Sequence, residues 1–325
     1  MGWSMIVSAV LEVRDLHITY ASSSGLVPAV RGVDLEIAPG ETLGLAGESG
    51  CGKSTLAMAL LRLVPPSTQI TGSIKLAGQD ILTMKPGQLR AARWAQASVV
   101  FQGAQHVLNP VRRIGRQIDE AIEAHGSASA SRAGELLDLV GLGARRGDDY
   151  PHELSGGQKQ RALIAMALAC DPLLLIADEP TTALDVMVQA QILQLLDNIK
   201  RERGLSMLFI THDLSVLSHT ADRVAVMYAG RIIEVGAGDA LLRNSLHPYS
   251  KALTASFPVI GDPSSRHQPR GLAGDPPDPN HLPSGCPFHP RCTVATEECQ
   301  SVDVKLRHAA DDEKRSVACV LVGKQ

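Results

Sequence analysis

Aromatic side chains make up only 3% of this 325-residue chain, so its core has to be assembled from Ala, Leu, Val and Ile. The chain also lacks any uninterrupted apolar run of the about 18 residues that a membrane-spanning helix requires. Positive charge is not in excess: the formal net charge is −3, which argues against nucleic acid as a partner because there is no broad basic footprint. The opening, MGWSMIVSAVLEVRDLHITY, has neither the basic start nor the small-residue cleavage site of a secretory leader. It runs straight into an alternating pattern and reads as a first strand. These absences together predict a protein that works in the cytoplasm, where thiols stay reduced and disulfides are uncommon.

What is present is ordinary for a globular protein: 44% hydrophobic and 20% charged residues, on a chain long enough for two domains. From Leu11 to about Gly236, short apolar runs (TLGLAG, ASVVFQ, LLLIAD, SMLFITH, RVAVMYAG) alternate with helical stretches such as KSTLAMALLRLV and QAQILQLLDNIKRER. That alternation predicts an α/β domain on a mainly parallel sheet. Between about 103 and 169 the strand signal vanishes, which predicts a helical insert. From Pro258 to Gly285 there are seven prolines and four glycines in twenty-eight residues, a composition that reads as an extended connector. Four of the six cysteines lie beyond it.

One motif dominates the first part of the chain. GESGCGKST, Gly47 to Thr55, fits the phosphate-loop pattern GxxxxGK[ST], with a strand before it and a helix after it. Gly47, Ser49, Gly50, Cys51 and Gly52 would turn backbone N–H groups toward phosphate oxygens, Lys53 would reach the β- and γ-phosphates, and Ser54 would ligate Mg2+ beside Thr55. LLLIADEP ends an apolar strand on two carboxylates. Asp178 would hold the Mg2+ shell and Glu179 would polarise an attacking water. LSGGQKQR, with Ser155, Gly156, Gly157 and Gln158, is a second backbone-rich start to a helix. A single nucleotide on a single phosphate loop has no need of it.

A phosphate loop followed by LSGGQ and then by an apolar strand ending in Asp-Glu resembles the ATP-binding cassette (ABC) family over about residues 11–236. The resemblance implies a P-loop ATPase in which the LSGGQ element of one subunit closes over nucleotide held by another. It also implies that Tyr20 stacks on adenine and that Gln102 contacts Mg2+ and water and senses a membrane partner. Asp185 would belong to the loop crossing the dimer, and His212 would contact the γ-phosphate. The implied organisation is a nucleotide-binding domain over 1–236, with its helical subdomain at about 103–169, and an extension over 237–325. The connector 258–285 and a four-cysteine module, 286–319, lie in that extension.

HPYSKALTASFPVIGDP followed by GDPPDPNHLPSGCPFHPRC is similar to the extension of the oligopeptide, dipeptide and nickel importer ATPases. This chain departs from them in GAQHVLNP, which lacks the usual acidic-Pro-Met opening, and at Thr293, where proline is common. The resemblance implies an ATPase on the cytoplasmic face of the cell membrane, driving peptide uptake with a second and related ATPase, two permeases and a solute-binding protein. Nickel import is the alternative within the family, and a soluble cassette protein the alternative outside it.

Cys286, Cys292, Cys299 and Cys319 are separated by five, six and nineteen residues. Four thiolates in a small loop-rich module satisfy the donor count of a zinc site or of an iron–sulfur cluster, and the spacing chooses neither. Two disulfides or four unrelated buried thiols are the other readings. The importer resemblance implies a 4Fe–4S cluster on these four positions, with His289 as a further candidate ligand. Cys51 and Cys170 read as structural.

Overall fold

The chain's strands take in every apolar run named above, TLGLAG, ASVVFQ, LLLIAD, SMLFITH and RVAVMYAG, and others that the sequence pattern does not mark. In the computed structural model, which describes residues 9–23, 25–103, 107–126, 131–256, 272–309 and 312–322, these are β1 (Leu11–Ser22), β2 (Gly25–Ile37), β3 (Thr42–Ala46), β4 (Gln69–Leu76), β5 (Gln79–Asp80), β6 (Ala97–Val100), β7 (Leu174–Asp178), β8 (Ser206–Thr211), β9 (Arg223–Tyr228), β10 (Arg231–Ala237), β11 (Arg307–Ala309) and β12 (Asp312–Val317). The opening residues 1–8 and the part of the connector over 258–271 lie outside the described residues. The chain divides into two compact units, one made of Met1–Glu12, Glu36–Glu41 and Lys75–Leu208, the other of Val13–Leu35, Thr42–Ile74 and Phe209–Gln325.

In the first unit β6 and β7 pair in parallel, Ala97 opposite Leu174 through Val100 opposite Ala177. All five residues of β7 are buried, as expected for a parallel strand covered on both faces. Among the described residues between 103 and 169 there are helices and no strand, with Ile114–Glu123, Arg132–Leu139 and Gly156–Ala167 packed on one another. Their contact stripes are aliphatic: Ile114, Ile118 and Ile122 on one helix, Leu136 and Leu137 on the next. The helix Val186–Arg203 begins three residues before the QAQILQ run because the Asp185 side chain caps it, accepting from Val188 N–H. It stops at Gly204, whose φ of 61° suits the left-handed cap, after Lys200, Arg201 and Arg203 complement the helix dipole.

In the second unit β3 and β9 are parallel, Leu43 opposite Arg223 through Ala46 opposite Val226. β9 then turns antiparallel into β10 through Ala229-Gly230, both at positive φ, the conformation that a two-residue hairpin favours. The helix after the phosphate loop spans Lys53–Ala59 and stops short of the run to Val64. Arg62 takes a left-handed φ of 50°, Leu63 N–H bonds back to the Met58 carbonyl, and Pro65 prevents continuation.

The extension is irregular around its cysteines and regular at its far end. β11 and β12 form a hairpin, and β12 pairs antiparallel with β10, Glu234 opposite Val317. Glu234 is fully buried there. Its carboxylate takes Arg315 of β12 at 3.1 Å and the backbone N–H groups of Leu246 (2.7 Å) and His247 (2.9 Å), which open the helix Pro248–Ala255. A buried carboxylate with this many donors is compensated for the water it gave up. Among the described residues no helix is long and apolar enough to cross a membrane.

Candidate functional site

The second unit carries the phosphate loop. β3 delivers the chain to Gly47, where any side chain is barred: a Cβ would stand 2.3 Å from the Met227 carbonyl oxygen and 2.7 Å from Cys51 Sγ. At Gly52, with φ of 110°, a Cβ would meet the Ala29 carbonyl oxygen at 2.4 Å. These two positions demand glycine for space as well as for φ. Lys53 is buried at 5% exposure, and its ammonium donates to the carbonyls of Gly47 (2.7 Å) and Glu48 (2.8 Å). Ser49, Gly50 and Ser54 are exposed beside it, and Thr55 receives the Tyr20 hydroxyl at 3.3 Å. Burial pushes the Cys51 thiol upward against the pull of Lys53. His212 lies exposed at the end of β8, followed by Asp213, which caps the next helix by accepting from Ser215 N–H.

The first unit carries the carboxylates and the LSGGQ element. β7 ends on Asp178, 5% exposed, and the next residue, Glu179, takes a left-handed φ of 47°. One Glu179 oxygen accepts both Gln102 Nε2 and Thr182 Oγ1, each at 2.8 Å. The loop that follows is held by Gln189, whose amide donates to the Thr181 and Leu184 carbonyls, and it ends on the Asp185 cap. Ser155 and Gln158 form a reciprocal capping box at the start of Gly156–Ala167. At Gly157 a Cβ would lie 2.6 Å from Val188 Cγ1, so the close approach of that helix start to the start of Val186–Arg203 requires glycine.

The four late cysteines of the second unit line one small apolar space of about 20 Å³, together with Phe288, Val304, Val320 and Leu321. None of the six cysteines is in a disulfide. Burial, followed by the neighbouring thiols, raises the pKa of Cys286; burial likewise leads the rise at Cys292 and Cys319. Gly285 is confined by the Cys299 carbonyl oxygen, 2.5 Å from a would-be Cβ, and Cys286 N–H donates to that same carbonyl. His289, the further candidate ligand, has Nδ1 3.0 Å from the Cys286 carbonyl oxygen. Among the described residues no three His, Cys, Asp or Glu side chains are gathered to hold a metal ion, so neither the expected 4Fe–4S cluster nor the zinc alternative finds a ready-made set of ligands here.

Several residues were not singled out by sequence reasoning. Phe288, Tyr228 and Tyr249 form an aromatic cluster, with ring centroids 4.5–5.3 Å apart, packed against the cysteine module. The Tyr249 hydroxyl accepts Glu48 N–H at 2.9 Å, and Arg291 grips the Glu48 carboxylate on both oxygens. The pattern GxxxxGK[ST] leaves position 48 open, and nothing local in HPY or PFHPRC ties Tyr249 or Arg291 to it.

Comparison with known proteins finds the ABC transporter family matching residues 30–182, and the C-terminal region of oligopeptide/dipeptide transporters matching residues 233–299. A protein of Brucella abortus (strain 2308), provisionally named a peptide import ATP-binding protein, is 45% identical over 306 residues, covering 92% of each chain. The oligopeptide transport ATP-binding protein OppD of Salmonella typhimurium is 44% identical over 300 residues, 90% of this chain and 89% of its own. Among solved structures, the dimeric post-hydrolysis state of the ATP-binding cassette MJ0796 bound to ADP and Pi matches with a TM-score of 0.63 and 29% identity, over 70% of this chain and 98% of that one.

Proposed function

This chain belongs to the ABC transporter ATPases of the oligopeptide/dipeptide importer type, and from that premise we propose that it hydrolyses ATP to drive peptide uptake through a membrane transporter. The observation that carries this reading is the joint match of the cassette and of the importer extension on one chain, which aligns with a named peptide-import relative over 92% of its length. The nucleotide-binding domain is 1–236, and 237–325 is the importer extension.

In this reading Tyr20 stacks on adenine, the loop from Gly47 to Thr55 wraps the phosphates, and Lys53 neutralises them. Its present hold on two loop carbonyls keeps that ammonium poised within the loop. Ser54, Asp178 and Gln102 would hold Mg2+, which would supply charge compensation at the phosphates. Glu179 takes the proton of the attacking water, supported by its bonds from Gln102 and Thr182, which fix the carboxylate's orientation. His212 donates to the γ-phosphate. Ser155 to Gln158 and Asp185 serve nucleotide on a second ATPase subunit, so that ATP binding closes and hydrolysis reopens the pair. Two permeases and an extracytoplasmic binding protein complete the transporter, with the ATPase peripheral on the cytoplasmic face.

The experiment is reconstitution with the neighbouring permeases in vesicles. Peptide-loaded binding protein is expected to stimulate phosphate release. Stimulation by nickel-loaded and not by peptide-loaded binding protein would assign the cargo to metal instead, and failure to associate with permeases would favour a soluble cassette protein.

The four cysteines are read as the ligands of a 4Fe–4S cluster that staples the module. The support is that all four line one small apolar space, in which their side chains would have to draw together to bind it. No step of ATP hydrolysis depends on it. Anaerobic purification with iron and sulfide analysis tests this; a colourless, iron-free protein carrying one zinc overturns it.

A further inference from the structure

Three anchors converge on Glu48, the second residue of GESGCGKST. Its N–H donates to the Tyr249 hydroxyl at 2.9 Å and its carbonyl accepts the Lys53 ammonium at 2.8 Å. Its carboxylate takes Arg291 Nη1 on Oε2 at 2.8 Å and Nη2 on Oε1 at 2.9 Å. Arg291 is itself fixed, with Nε donating to the Ala273 carbonyl at 2.9 Å and Nη1 reaching the Tyr228 hydroxyl at 3.4 Å. The Arg291 side chain is 7% exposed and that of Glu48 22%, so this bidentate pair is largely withdrawn from water, where such pairs are strong and geometrically specific.

A carboxylate in a phosphate loop opposes the loop's purpose. The glycines around it turn N–H groups toward an anion, and an uncompensated negative charge a few residues from the lysine would repel that anion. We infer that Arg291, although it lies in the cysteine module some 240 residues downstream, is a positioning residue for ATP: it cancels the charge of Glu48, which would otherwise repel the phosphates. The module thereby sets nucleotide affinity. This inference rests on the reading of Gly47 to Thr55 as the ATP site.

Charge compensation and a merely structural clamp predict opposite signs, so the test is a set of variants of the full chain read by MgATP affinity, with folding checked by circular dichroism. Arg291→Met, which keeps the buried stem, is expected to weaken MgATP binding about tenfold. Adding Glu48→Gln to it is expected to restore affinity to within about twofold, because the charge that needed cancelling is gone. Arg291→Lys, with a point charge but no fork, is expected to fall between wild type and Arg291→Met. Glu48→Gln alone is expected to tighten binding, since Arg291 then adds an uncompensated positive charge near the loop.

Unchanged affinity in folded Arg291→Met overturns the inference, as does a double variant as weak as the single one. If Arg291→Met does not fold, Glu48→Gln decides: weaker binding there means a structural clamp. Lys53→Ala separates this inference from its premise. If affinity is indifferent to Lys53, the loop is not the ATP site; if Lys53→Ala abolishes binding and Arg291→Met leaves it intact, only the role of Arg291 fails.

Discussion

Gln102 donates its side-chain amide to Glu179 Oε2 across 2.8 Å, and that oxygen also accepts the Thr182 hydroxyl. A carboxylate oriented by two donors, on a residue held at a left-handed φ of 47°, is fixed in direction before any substrate arrives. Glu179→Gln is therefore expected to lower phosphate release by the assembled transporter by about 10²–10⁴-fold, the usual contribution of a positioned base, while MgATP still binds. Undiminished hydrolysis would remove Glu179 from the role.

Gly157→Ala tests packing in the first unit. The added Cβ would lie 2.6 Å from Val188 Cγ1, so a helix start must shift, at a cost of about 1–3 kcal/mol. The thermal midpoint is expected to fall, and Val188→Ala in the same chain is expected to recover most of the loss. Equal midpoints for the single and double variants would show that the contact is not the reason for glycine.

Tyr249→Phe keeps the aromatic cluster and deletes only the oxygen that accepts Glu48 N–H. Leaving that donor without a partner weakens local closure of the loop, and hydrogen exchange at the Glu48 amide is expected to accelerate by about tenfold. An exchange rate equal to that of the wild type would mean that the Lys53 and Arg291 anchors hold the loop alone.

His247 gives the second unit an acid-sensitive point. Burial lowers its pKa to about 4, with a hydrogen bond to the Ala318 backbone pulling the other way, and its Nδ1 accepts Tyr249 N–H at 3.0 Å, so the folded ring is neutral. Because the folded value lies below the ordinary 6.5, the unfolded chain binds the proton first. The contribution is complete above about pH 6.5 and is lost as pH falls toward 4, on the order of 3 kcal/mol in total. His247→Gln keeps an acceptor and removes the titration, so its melting temperature is expected to fall less than the wild type's between pH 6.5 and 4. Parallel pH profiles would place the acid sensitivity elsewhere.

The strands and the phosphate loop were legible because period, glycine placement and flanking runs are local properties. TLGLA, LLIAD and SMLFIT fold as read, with bounds shifted by a residue or so. The helix from Lys53 ended early because Arg62 and Pro65 outweigh the leucines around them, a signal present in the text but weaker than the apolar run. Glu48, Tyr249 and Arg291 were illegible as a group, since nothing local announces that residues about 200 and 240 positions apart share one hydrogen-bonded hub. The hairpin of β11 and β12 was hidden by the irregular, proline-rich text before it.

Glu234 and Arg315 stand 81 residues apart in sequence and complete each other in the interior. A ribosome makes β10 long before it makes β12, so during synthesis the edge of β10 stays open and the Glu234 carboxylate has no guanidinium to face. The second unit thus reaches its final order only when those later residues emerge. A chain halted between the two strands carries an unpaired sheet edge and an unmatched carboxylate, which leave it open to aggregation.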